Sequence, residues 1–132
     1  MKFQVGDRAS VRVKVTDQMI RGFAELSGDR NPIHLDEEFA RTTRFGRRIA
    51  HGMITGALIS RVLATELPGP GAVYLSQNLK FTAPVFVDEE LTIELTVLSI
   101  RAEKNLLTIE TKALKPDGKP AATGEALVMV SA

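Results

Sequence analysis

The chain has 132 residues, 44% hydrophobic and 25% charged, the balance of a soluble globular protein, and residues 1–132 are expected to form one domain. A net charge of +1 offers no whole-molecule attraction for nucleic acid or an anionic membrane surface. The lack of cysteine excludes disulfides, thiolate nucleophiles and Cys-ligated zinc, and suits a reducing cytoplasm.

Met1 to Asp7 lacks the basic and apolar regions of a secretion signal. No uncharged stretch approaches the ~20 residues needed to span a bilayer. Val11, Val13 and Val15 alternate with Arg12 and Lys14, the period of a half-buried strand. Thr16 is a suitable N-cap for a helix through about Ser27, with Ile20, Phe23 and Ala24 inward, and Gly28 suits its end. Residues 28–35 read as a loop stiffened by Asn31-Pro32, because proline fixes its own φ and disfavours helical geometry before it. Asp36 then caps a short helix whose dipole Glu37 and Glu38 complement. Arg41, Arg44, Arg47 and Arg48 make a basic connector.

The next helix is expected from about His51 to Thr65. Ile54, Leu58 and Val62 recur every four residues, broadened by Ile59 and Leu63, while Gly52, Gly56 and Ser60 form a stripe of small residues. Leu67-Pro-Gly-Pro-Gly71 ends it. Strands are expected over Val73–Phe81, Leu91–Val97, Leu106–Leu114 and Ala121–Val130, with a turn at Lys115–Lys119. Short connections imply a mainly antiparallel sheet, here curved around the long helix: an α+β domain.

Two segments carry the candidate chemistry. Asp29 and His34 stand five residues apart on the stiff loop, near enough for both side chains to meet one water as a proton-transfer pair. Ile33 and Leu35, pointing opposite to His34 in an extended backbone, would direct it away from their apolar anchor. Taken singly, an Asp before Asn-Pro is more often a turn residue, and a His among apolar neighbours more often a satisfied core side chain. In the second segment, Gly52 at a helix start leaves an unpaired backbone N–H with room for a ligand. A carbonyl gaining negative charge would use that donor; close helix packing is the competing explanation for the glycine. His51 is either a packing residue or a contributor to orientation. The arginine cluster is either a solvated loop or a surface for anionic groups. Phosphate-loop, dinucleotide-fold and serine-hydrolase motifs are missing, and no helical HExxH spacing supports a two-histidine metal site.

Ser27-Gly-Asp-Arg-Asn-Pro-Ile-His34 and Ala50-His-Gly-Met53 resemble the signature of the MaoC-like, (R)-specific enoyl-CoA hydratases, in particular the short ones that supply monomers for polyhydroxyalkanoate synthesis. The likeness continues through Leu67-Pro-Gly, Tyr74–Phe81 and Pro84–Asp88. It implies a hot-dog fold, a homodimer with sheets joined side by side, an acyl-CoA substrate and no cofactor or metal. It further implies that Asp29 and His34 hold the catalytic water, that the Gly52 N–H polarises the thioester carbonyl, and that Ser60 supports the site by hydrogen bonding, with Asn31 and His51 in supporting places. The rival expectations are dehydration of hydroxyacyl groups on acyl carrier protein and a non-catalytic acyl-thioester binding subunit.

Overall fold

A computed structural model describes residues 1–131. The elements are β1 (Arg8–Lys14), α1 (Asp17–Ser27), α2 (Pro32–Leu35), α3 (Glu37–Arg41), α4 (Gly52–Thr65), β2 (Val73–Phe81), β3 (Glu90–Arg101), a 3-10 turn (Ala102–Lys104), β4 (Leu106–Leu114) and β5 (Pro120–Met129). The five strands form one antiparallel sheet in the order β1-β3-β4-β5-β2.

α4 lies against this sheet because its apolar stripe has nowhere else to go. Ile54, Leu58, Ile59, Val62 and Leu63 are all buried, as their spacing requires. They share one core with Leu91, Ile93, Leu95, Leu107 and Ile109, which alternate with more exposed residues along β3 and β4. Each such side chain contributes roughly 1.5–3 kcal/mol when removed from water. A helix laid on a curved antiparallel sheet is the hot-dog arrangement, and the α+β expectation holds.

The glycine stripe is also explained by packing. A Cβ on Gly56 would stand 3.2 Å from Met53 Cε and 3.3 Å from Leu79 Cδ1, so β2 approaches α4 closely there. β2 itself is the sheet edge, and Val73, Leu75 and Phe81 remain about half exposed.

Two expectations change. β3 is longer than Leu91–Val97 because the ladder continues past an irregularity between Val97 and Ser99. Residues 32–35 form a helical turn, not an extended loop. Proline does keep Asn31 out of helical geometry (φ −53°, ψ 124°), yet as the first residue of α2 its fixed φ favours the turn that follows. The argument that Ile33 and Leu35 point opposite to His34 therefore fails. His34 is buried through tertiary contacts instead.

Candidate active site

The segment carrying Asp29 is shaped by successive caps. Thr16 Oγ accepts from the Met19 N–H at the start of α1. Gly28 closes the helix in the left-handed region (φ 79°), its N–H donating to the Ala24 carbonyl, where a side chain would be strained. Asp29 follows at once, exposed. Its Oδ1 accepts from the Asn31 N–H at 3.2 Å, and Asn31 Oδ1 accepts from the Ile33 N–H at 3.2 Å as N-cap of α2. Two side chains thus turn the chain twice within five residues, which is the support that Asn31 supplies.

His34, at the third position of α2, is only 8% exposed. Its Nδ1 lies 2.8 Å from the Ile49 carbonyl. A carbonyl only accepts, so Nδ1 carries the proton and Nε2 keeps the lone pair. Burial pushes the His34 pKa below 6.5, reinforced by His51 and opposed by the Ile49 hydrogen bond and the Asp29 carboxylate. The ring is therefore neutral near pH 7, with Nε2 ready to take a proton.

His51 lies beneath it. The two imidazoles stack with centroids 3.9 Å apart, and Phe23 packs against the far ring at 4.9 Å. His51 Nε2 donates to the Asp29 backbone carbonyl at 2.9 Å, while its Nδ1 is buried without a hydrogen-bond partner. His51 thus packs beside His34 and ties the Asp29 backbone to the start of α4. Donor atoms of Asp29, His34 and His51 lie within 4.8 Å of one another. Metal binding needs lone pairs converging on one point at about 2.0–2.1 Å. Stacked rings aim them side by side.

α4 begins at Gly52, after His51 in a non-helical conformation (φ −59°, ψ 134°). The Gly52 N–H has no acceptor within its own helix. Gly52 lines a cavity of about 360 Å³ together with His34, His51, Thr55, Phe81 and Arg44, among others. A Cβ on Gly52 would meet the Phe81 ring at 3.2 Å, so a side chain there would fill the cavity's wall.

The structure brings Asp29, His34, Asn31, His51 and Gly52 together, but Ser60 stands apart. At ~1.5 Å per residue, eight residues of helix place it ~12 Å along α4 from Gly52. It lines a separate recess of about 70 Å³ with Leu63, Tyr74 and Val128. Ser60 is therefore not among the residues that line the His34 cavity. The arginine cluster also divides. Arg41 is exposed and Arg44 lines the cavity. Arg47 covers the Phe86 ring at 3.7 Å, and Arg48 is largely buried against His34 and Asp17. Thr55 and Phe81 were not legible as cavity residues, because only the packing of β2 beside α4 places them there.

A helix-wrapped antiparallel sheet with a neutral imidazole and a helix-start glycine lining one cavity, and a carboxylate within 4.8 Å of that imidazole, defines a hot-dog protein with groups able to exchange protons. Residues 4–115 match the family described as MaoC like domain, and the chain belongs to that family. It is 43% identical over 125 residues to the (R)-specific enoyl-CoA hydratase of Aeromonas caviae, covering 95% of this chain and 93% of the relative. It is 46% identical over 127 residues to the (R)-specific enoyl-CoA hydratase of Rhodospirillum rubrum, covering 96% and 88%. The solved structure described as an (R)-hydratase from A. caviae involved in PHA biosynthesis superposes with a TM-score of 0.96 at 42% identity, covering 98% of both chains.

Proposed function

We propose that this chain reversibly hydrates trans-2-enoyl thioesters of coenzyme A to (3R)-hydroxyacyl thioesters. The observation that carries the reading is His34. Its tautomer is set by the Ile49 carbonyl, which leaves the Nε2 lone pair without a hydrogen-bond partner among the described residues; the residue lines the cavity with Gly52, and a ring nitrogen lies within 4.8 Å of an Asp29 carboxylate oxygen.

The chemistry follows from these positions. Asp29 and His34 hold one water between them. The pair takes a proton from that water as its oxygen bonds to C3 of the substrate, and the π electrons shift toward C2 and the thioester carbonyl. The Gly52 N–H donates a hydrogen bond to that oxygen as negative charge develops on it, reinforced by the positive end of α4. The pair then returns a proton to C2. Protons and electrons balance, so the reaction itself calls for no redox cofactor. Similarity to the A. caviae enzyme, described as involved in PHA biosynthesis, supports a role in polyester monomer supply; a chain without cysteine suits the cytoplasm as its location.

The same reading includes a homodimer. β2 ends the sheet with an unpaired edge and exposed Val73, Leu75 and Phe81, the surface a second copy would cover by extending the sheet. Light scattering should give twice the chain mass, and Leu75→Lys should shift it toward the monomer; a monomeric wild type overturns the dimer.

The test of the activity is loss of enoyl absorbance with crotonyl-CoA, followed by chiral analysis. The expected product is (3R)-hydroxybutyryl-CoA. A (3S) product, or turnover only with acyl carrier protein thioesters, overturns the reading.

A further inference from the structure

Three hydrogen bonds zip the turn at residues 33–34 to the segment at 48–49. The Ile49 N–H donates to the Ile33 carbonyl at 3.3 Å, His34 Nδ1–H donates to the Ile49 carbonyl at 2.8 Å, and Arg48 Nε–H donates to the His34 carbonyl at 2.7 Å. The last of these is a side-chain contact reaching back 14 residues. The same guanidinium donates through Nη2 to Asp17 Oδ1 at 2.5 Å, in a pair whose arginine side chain is only 11% exposed. Asp17 is in turn held by Arg21 one helical turn on, at 2.9 Å. These two arginines, Arg48 foremost, keep the Asp17 carboxyl below its ordinary pKa of 3.8. On its other side the 48–50 segment is fastened by the Ile49–Phe86 bridge and by the Ala50 N–H donating to the Val85 carbonyl at 2.7 Å.

Arg48 therefore does not act as a surface charge. It joins the first turn of α1 to the backbone of the residue whose ring faces the cavity. α2 is a single turn of four residues, too short to hold itself. Its geometry depends on bonds from outside.

We propose that Arg48 is a positioning residue for the reaction, clamping the His34 carbonyl against Asp17 so that the imidazole presents Nε2 to the bound water. This rests on the hydratase reading above. Arg48 touches neither the water nor the substrate in this scheme, so its removal should affect the chemical step more than binding. A misplaced base loses rate because reaction geometry is sensitive at the ~1 Å level.

The experiment compares Arg48→Met and Arg48→Lys with wild type, using crotonyl-CoA kinetics at 25 °C, thermal unfolding, and the imidazole N–H resonance of His34 in protein labelled with 15N-histidine. For Arg48→Met, kcat should fall about tenfold or more with KM within about twofold, and the protected His34 N–H line should broaden or vanish. Arg48→Lys keeps the charge but offers one ammonium in place of a fork, so it should restore only part of the rate. A lowered melting temperature with kcat within about twofold of wild type and an unchanged N–H line would make Arg48 a stability residue only, overturning the proposal. Should Arg48→Met fail to fold, Asp17→Ala removes the acceptor that anchors the Arg48 guanidinium, and an unchanged kcat there overturns it equally. Should wild type hydrate no enoyl-CoA, the functional reading fails, while the His34 N–H line in wild type and variant still decides whether the clamp exists.

Discussion

The two halves of the candidate site are built in opposite ways. The Asp29–His34 half presents side chains, and its backbone is held by bonds from residues as far away as Arg48 and His51. The α4 half presents a backbone N–H, and the helix that aims it is held by its own periodic core face. The loop half should therefore be sensitive to which side chain is present. The helix half should tolerate side-chain change except where the N–H is lost or the space is filled.

The largest expected effects test the loop half. His34→Asn places an amide where Nδ1–H stands, so the Ile49 carbonyl keeps a donor while the lone pair of Nε2 is lost. Asp29→Asn keeps Oδ1 as acceptor for the Asn31 N–H while removing the charge. Each should lower kcat by about a thousandfold with the fold retained by circular dichroism. Activity within tenfold of wild type would remove that residue from the proton chemistry.

Gly52→Pro probes the helix half by deleting the N–H, while adding the same Cβ that alanine would bring. Proline is favoured at the first helical position, and His51 already has the extended ψ that a following proline requires. The expected loss is about a hundredfold in kcat. Gly52→Ala is its control. It keeps the N–H but brings a methyl against the Phe81 ring at 3.2 Å; Phe81 is 50% exposed and has room to move. Its loss should stay within about tenfold, and equal losses in the two variants would assign Gly52 to space rather than to hydrogen bonding.

Acid should silence the loop half first. The folded chain holds a proton on His34 less readily than the unfolded chain does. Activity should therefore persist below the ordinary histidine value of 6.5 and fall only at lower pH. The linkage has the same sign: below 6.5 the unfolded state binds the extra proton, so His34 contributes stability above that value and loses it as pH drops toward the folded pKa. A pH–rate profile whose acid limb lies above 6.5 would contradict the buried neutral ring.

The smallest effect is expected for Ser60→Ala. The hydroxyl lies in the separate recess, so kcat should change less than about threefold. A loss beyond tenfold would mean that a second copy completes the cavity with Ser60.

Most of the scaffold was legible locally. Thr16, Gly28 and Asp36 mark helix ends by chemistry that acts within four residues, and the Ile54–Leu63 stripe specified its buried face by period alone. Asp29, His34 and Gly52 stood out as residue types able to move protons or bind an anion, and the structure brings them to one place. The helical turn at Pro32–Leu35 was missed because the same proline both breaks the preceding residue and starts the next turn. Arg48 carries no local mark that separates it from Arg41, Arg44 and Arg47.

The sequence by itself determined the element order, the inward faces and the candidate pair, since each follows from interactions between near neighbours along the chain. Tertiary structure alone decided the state of His34, because the carbonyl that sets its tautomer is 15 residues away. It likewise decided the stacking of His51, the entry of Thr55 and Phe81 into the cavity, and the separation of Ser60 from Gly52. Burial and hydrogen bonding across distant segments have no period or spacing from which they could be read.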